Sequence, residues 1–108
     1  MKGRINGRPV DFMVDTGASV IALTERNAAM LGTRPAERDY VGIVRTANGT
    51  VRVAPIMLRT LAIDDLLLHN VAAVVLPRGA LNDNLLGLSF LSRLRRFEFA
   101  DGKLVLEQ

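Results

Sequence analysis

The sequence predicts a mainly β domain with two short helices, and three observations carry that expectation. The dipeptides Asn6-Gly7, Asn48-Gly49 and Asp101-Gly102 each sit between segments rich in Val, Ile, Leu and Phe. Type I′ hairpin turns need positive φ at both central residues, which Asn-Gly and Asp-Gly adopt at low steric cost. A further apolar run over residues 66–76 carries the β-branched Val71, Val74 and Val75 and stops before Pro77 and Gly79, the pattern of one or two buried strands. A chain of 108 residues, 49% of them hydrophobic, suits one compact domain over residues 1–108 and leaves no room for a second core.

In chain order, the first hairpin pairs residues 2–6 with 8–14. Apolar Phe12-Met13-Val14 then meets a short polar loop, Asp15-Thr16-Gly17-Ala18-Ser19, and a second apolar strand, Val20-Ile21-Ala22-Leu23. Thr24 can cap a helix over residues 25–31, with Glu25 in its first turn and Gly32 placed to end it in the left-handed conformation. The second hairpin pairs residues 41–47 with 50–58, and Ile43, Arg45 and Ala47 alternate with Val44 and Thr46 as a half-buried strand requires. After the 66–76 run, polar Asn82-Asp83-Asn84 precedes Leu85-Leu86-Gly87, which opens a second helix over residues 88–95. Leu88, Leu91 and Leu94, or Phe90 and Leu94, give that helix an apolar stripe, and Arg93, Arg95 and Arg96 suit its negative C-terminal end. The third hairpin pairs residues 97–99 with 103–106.

Composition removes several kinds of chemistry. The chain has no cysteine and one histidine, so it offers no disulfide scaffold, no thiol nucleophile and no thiolate zinc site, and an all-protein metal cage is disfavoured. No metal or cofactor is implied. The most apolar stretch, residues 53–76, is interrupted by Arg59, Asp64, Asp65 and His69, whereas a membrane-spanning helix needs about 20 mainly apolar residues. The formal charge is +3 with an isoelectric point near 10.2, but the basic residues are scattered and do not alternate with stacking aromatics, so the expectation is no nucleic-acid partner.

What remains is the polar loop. An acidic residue set between two apolar strands is costly to hold there without a use. Gly17 lets the chain reverse and leaves space above the Asp15 carboxylate, while Thr16 and Ser19 supply hydroxyls to fix the loop. Joined to this are the Gly-tipped hairpin at Asn48-Gly49 and, far downstream, Leu85-Leu86-Gly87-Leu88-Ser89-Phe90-Leu91. The order of strand, Asp-Thr-Gly-Ala, short helix, hairpin, paired hydrophobics with Gly and C-terminal helix resembles the retropepsin-like aspartic proteases. It is closest in pattern to their single-domain bacterial members and to the protease domain of the DNA-damage-inducible proteins. The resemblance runs from Ile5-Asn6-Gly7-Arg8-Pro9-Val10 to the last strand.

The resemblance implies a closed barrel with one lobe per chain, and a homodimer, because the chain holds a single Asp-Thr-Gly and the family's catalytic pair needs two. It implies that Asp15 is catalytic, with Thr16 and Gly17 completing its loop. The Thr16 hydroxyl would reach across the two-fold axis to the opposite loop. Thr46, Ala47, Asn48 and Gly49 would form the tip of a flap that, with Ala18, binds an extended polypeptide substrate. Ser19, Leu86 and Gly87 would support the site, Gly87 by letting the chain pass close behind the loop. Two carboxylates a few Å apart cannot both ionise cheaply and share one proton. Relatives with Ser after the motif Gly can hydrogen-bond the ionised carboxylate; Ala18 cannot, which points to a mildly acidic optimum. Similar bacterial proteins often carry a membrane anchor ahead of this domain, so an anchored or periplasmic location stays open.

Two other readings stand beside the peptidase: an inactive retropepsin-like domain used for protein binding or dimerisation, and a small basic β domain that binds nucleic acid. For individual residues, His69 is expected to be a partly buried, hydrogen-bonded member of an apolar strand. Asp64 and Asp65 read as a solvated turn, Asp83 as a loop cap, and Arg93, Arg95 and Arg96 as a solvated helix end. Ile21, Ile43, Val44 and Leu81 are candidate pocket walls by position.

Overall fold

Asn6 and Gly7 take φ values of 51° and 83° and reverse the chain between β1 (Lys2–Ile5) and β2 (Arg8–Val14). These strands pair antiparallel, with Ile5 opposite Arg8 and Lys2 opposite Asp11, as the Asn-Gly turn predicts. The structure, a computed structural model, describes residues 1–15, 20–46, 49–80, 83–87, 90, 96–100 and 103–107. The other strands in it are β3 (Ile21–Leu23), β4 (Gly42–Thr46), β5 (Gly49–Ile63), β6 (Leu66–Val75), β7 (Asn84–Leu86), β8 (Arg96–Ala100) and β9 (Lys103–Glu107).

Seven strands form one sheet in the order β1-β2-β7-β3-β6-β5-β4, and β1 also pairs with β5. That extra pairing closes six strands into a barrel and leaves β4 beyond it, held by β5 alone. Asn6 draws the seam tight. Its N–H donates to the Thr60 carbonyl at 3.1 Å, and its side-chain Oδ1 accepts the Thr60 N–H at 3.0 Å, so the β1–β2 turn adds one more rung to the β1–β5 ladder of Gly3–Ile5 against Leu61–Ile63.

The long β5 and β6 strands cross from one end of the barrel to the other, and both change phase at the same level. Leu58 faces Val71 and Thr60 faces His69, but Arg59 and Asn70 are left out of the ladder, and Asn70 has φ 55°. The buried positions step from Leu58 to Leu61 on β5 and from Leu68 to Val71 on β6, three residues where a regular strand would step two. The half-step swaps the inward face, bends the pair, and lets one strand serve two walls of a closed sheet.

The helix α1 (Glu25–Met30) has the predicted ends. Thr24 Oγ1 accepts the Asn27 N–H at 3.1 Å, satisfying a donor that the first turn leaves orphaned. Gly32, with φ 86°, donates to the Ala29 carbonyl at 3.0 Å and Thr33 to the Ala28 carbonyl at 2.9 Å, the paired closure that a left-handed glycine permits. Arg8 adds a guanidinium bond to the Met30 carbonyl at 3.1 Å. The second helix expected at residues 88–95 lies outside the described residues except for Phe90, which is fully buried and donates its N–H to the Gly87 carbonyl at 3.1 Å.

Two apolar clusters fill the structure. The larger, inside the barrel, includes Ile5, Phe12, Ile21, Leu23, Leu61, Ile63, Leu86 and Phe90. The smaller joins Ala22, Val53, Val74, Leu76 and Leu85, with Val20, Val44, Val51 and Ala80 packed against it. It ties the β4–β5 hairpin to β3, β6 and β7. β8 and β9 form a separate two-stranded sheet, Phe97 opposite Leu106 and Phe99 opposite Leu104.

Candidate active site

Asp15 is the first residue after β2, and the strand beside it fixes where it stands. β2 and β7 run parallel with Phe12 against Asn84, Met13 against Leu85 and Val14 against Leu86. One residue further, the Asp15 N–H donates to the Leu86 carbonyl at 3.1 Å, so the backbone is still in the sheet at the point where the carboxylate leaves it. Leu86 itself is fully buried in the main core. Asp15 is half-buried, an arrangement that ties its backbone to a rigid element and leaves its side chain part access to solvent.

After the loop the chain returns as β3, which pairs antiparallel with β7 at Ala22 and Leu85 and parallel with β6 from Ile21–Ala73 to Leu23–Val75. β7 therefore lies between the strand that enters the loop and the strand that leaves it. Leu85 and Leu86 belong to this strand, directly ahead of the helix expected at residues 88–95. Pairing on both sides holds them there: all three residues of β7 pair with β2, and Leu85 pairs with Ala22 of β3 as well, giving backbone partners that a helix would forgo.

Asn84 is the residue that sequence reasoning missed. It reads as part of a polar loop, yet only 3% of it is exposed. Its Oδ1 accepts the Thr24 N–H at 2.9 Å, and its Nδ2 donates to the Asp11 carbonyl at 2.9 Å. A polar residue directly ahead of two hydrophobics in a buried strand was the available signal. No buried side-chain polar atom among the described residues lacks a partner.

Of the predicted site residues, Asp15, Leu86 and Gly87 come together at the end of β2 and β7, and Gly87 is buried there. Thr16, Gly17, Ala18, Ser19, Ala47 and Asn48 lie outside the described residues, as does Leu81. Thr46 and Gly49 close the β4–β5 hairpin opposite each other, and Gly49 has φ 114°. Of the candidate pocket walls, Val44 belongs to the smaller cluster and Ile43 is 69% exposed, but Ile21 is fully buried inside the barrel. His69 is exposed, contrary to expectation, because the phase change at Arg59 and Asn70 turns it outward. Asp64 and Asp65 occupy an exposed turn, as expected, and Asp83 is exposed.

Elsewhere, Tyr40 packs against the main core. Burial, and then the nearby Glu25 charge, raise its phenol above the ordinary value of 10.0. Glu25 also lies 3.7 Å from Arg78. Among the described residues, no three His, Asp or Glu side chains converge as metal ligands, and no helix is long and apolar enough to cross a membrane.

Comparison with known proteins matches residues 1–93 to the family described as gag-polyprotein putative aspartyl protease. The chain belongs to the retropepsin-like aspartic proteases. It is 39% identical over 102 residues to an uncharacterized protein in the cobV 5′ region of Sinorhizobium sp, spanning 94% of this chain but only 44% of that relative's length. The retropepsin-like aspartic protease of Rickettsia conorii superposes with a TM-score of 0.84 at 37% identity, over 98% of this chain and 79% of that one. The retroviral protease-like domain of Ddi1 from Leishmania major shares the fold, with a TM-score of 0.68 at 20% identity over 97% of this chain and 84% of that one. The retropepsin-like closed barrel is thus the fold of this chain.

Proposed function

We propose that the protein is a homodimeric aspartic endopeptidase that hydrolyses peptide bonds in extended polypeptide segments. The observation that carries this reading is the placement of Asp15: a half-buried carboxylate, held by its own N–H on the Leu86 carbonyl, at the end of a strand in a retropepsin-like barrel. Each chain supplies one such carboxylate, and two are needed.

In the dimer, Asp15 and Asp15 of the partner subunit share one proton, since a second charge a few Å from the first is strongly disfavoured. The ionised member takes a proton from a water lying between them, and that water attacks the scissile carbonyl carbon. The protonated member gives its proton to the developing oxyanion. Collapse of the tetrahedral intermediate then breaks the C–N bond as a proton passes to the leaving amine. In this reading Thr16 and Gly17 would complete the loop that aims each carboxylate, and Ala18 would contact substrate beside it.

The β4–β5 hairpin is the flap in this reading. Its inner valines, Val44, Val51 and Val53, pack on Ala22 and Leu85, so it is seated on β3 and β7. Thr46, Ala47, Asn48 and Gly49 at its tip would lie along the substrate backbone as an added strand does. The dimeric part of the reading draws support from β8 and β9. A two-stranded sheet is marginal alone and has two unpaired edges, which a second copy could pair.

The test is hydrolysis of an unstructured protein by the wild type and by Asp15→Asn across a range of protein concentrations. Cleavage that disappears in Asp15→Asn, is blocked by a statine-type transition-state mimic, and shows a specific activity rising with concentration to a plateau is the expected result. Cleavage that survives Asp15→Asn, or no cleavage by the wild type between acidic and neutral pH, overturns the reading.

A further inference from the structure

The loop that carries Asp15 is bounded by Asp11 on β2 and Thr24 just beyond β3, and a single side chain holds both. Asn84 donates from Nδ2 to the Asp11 carbonyl and accepts at Oδ1 from the Thr24 N–H, each at 2.9 Å. Two residues along the same strand, the Leu86 carbonyl accepts the Asp15 N–H. Thr24 passes the restraint on: its Oγ1 accepts both the N–H and the Nδ2 of Asn27, at 3.1 and 2.8 Å, so α1 is tied to the same amide. We infer that Asn84 is a positioning residue, whose carboxamide fixes the separation of the two ends of the Asp15 loop and thereby the place of the Asp15 carboxylate. The inference rests on the peptidase reading for what Asp15 does, but not for how it is held.

The chemistry selects an amide. One end must donate to a carbonyl and the other must accept from an N–H, at a site only 3% exposed. Leucine would fill the volume and leave the Asp11 carbonyl and Thr24 N–H without that partner. A carboxylate would set oxygen against oxygen at Asp11. A neutral carboxylic acid, however, has an O–H to donate and a carbonyl to accept, and reproduces both bonds. The charged groups lining the cavity beside Asn84 are Lys2, Asp11 and Asp83, and the introduced acid would titrate among them.

Asn84→Asp is therefore the informative variant, with Asn84→Leu beside it. Activity is read as kcat per site titrated with a statine-type inhibitor, so that loss of folded protein does not enter. The expected result is near-wild-type kcat for Asn84→Asp at the acid end of the profile. As the introduced carboxyl ionises, kcat falls about a hundredfold with KM little changed, the size of effect that a misplacement of about 1 Å produces. Asn84→Leu is low at every pH. A kcat profile for Asn84→Asp that tracks the wild type throughout, whatever its thermal stability does, overturns the inference. Hydrogen exchange gives a readout independent of peptidase activity: protection of the Asp15 and Thr24 amides in Asn84→Asp is lost as the carboxyl ionises. Unchanged protection at both amides overturns the inference, while absence of cleavage in the wild type overturns only the peptidase reading.

Discussion

The Asp15 N–H and the Leu86 carbonyl meet at 3.1 Å, carrying the parallel β2–β7 pairing one residue beyond Val14. The chain's candidate catalytic carboxylate is thus attached through its own backbone to a strand that is buried on both flanks. Leu86→Ala should test the connection. Removing a fully buried leucine side chain costs about 2–5 kcal/mol through lost transfer energy and the cavity left behind. Urea unfolding should show a loss of that size, and the Asp15 amide should exchange faster than amides on the opposite wall of the barrel, such as those of β6.

The seam between β1 and β5 offers a second check. Asn6 both adopts positive φ and binds Thr60 at two points. Asn6→Ala introduces a left-handed strain of about 1–2 kcal/mol and removes the Oδ1 acceptor. Asn6→Gly removes only the acceptor, at a cost of about 1 kcal/mol. Thermal unfolding should rank the wild type above Asn6→Gly and Asn6→Gly above Asn6→Ala.

Tyr40 predicts an alkaline limb. Its phenol titrates above 10.0 in the fold because burial, and then the Glu25 charge, disfavour the phenolate. Between the unfolded and the folded value the native state binds more protons than the unfolded one, so stability falls as pH rises through that window. Below pH 10 the contribution is fully present. Tyr40→Phe should flatten the decline in unfolding free energy above pH 10 and leave its neutral-pH dependence unchanged, measured by denaturant unfolding in a pH series.

Ala18 predicts the acid limb of the proposed peptidase. A serine there would donate a hydrogen bond to the ionised Asp15 carboxylate and favour the charged form. Ala18→Ser should move the optimum to lower pH, as hydrogen bonding to the charged form of a carboxylate does, with the optimum of the wild type mildly acidic; pH–rate profiles of the two proteins make the comparison. A wild-type optimum near pH 2 would contradict the assignment of Ala18.

Much of this was legible from local chemistry. Asn6-Gly7 turns the chain where turn propensity says it must, and Thr24 and Gly32 end α1 as predicted, because each depends on a few adjacent residues. The Asp15 loop was legible for a related reason: an acid between two apolar strands is unusual on its own. Asn84 and His69 were not. Asn84 looks like a loop residue until β2 and the start of α1 close around it, and His69 looks like a core residue until Arg59 and Asn70 shift the phase of two paired strands.

By itself, then, the sequence determined the β-rich class, the first turn, the short helix and the candidate catalytic residue, since these follow from φ preferences, hydrophobic period and a short motif. Only the tertiary structure decided that β1 seals the barrel on β5, that β7 threads between the two strands of the Asp15 loop, and that Asn84 bridges them. Which strands become neighbours is a property of the whole chain, and a buried polar side chain finds its partners only after the backbones that carry them have met.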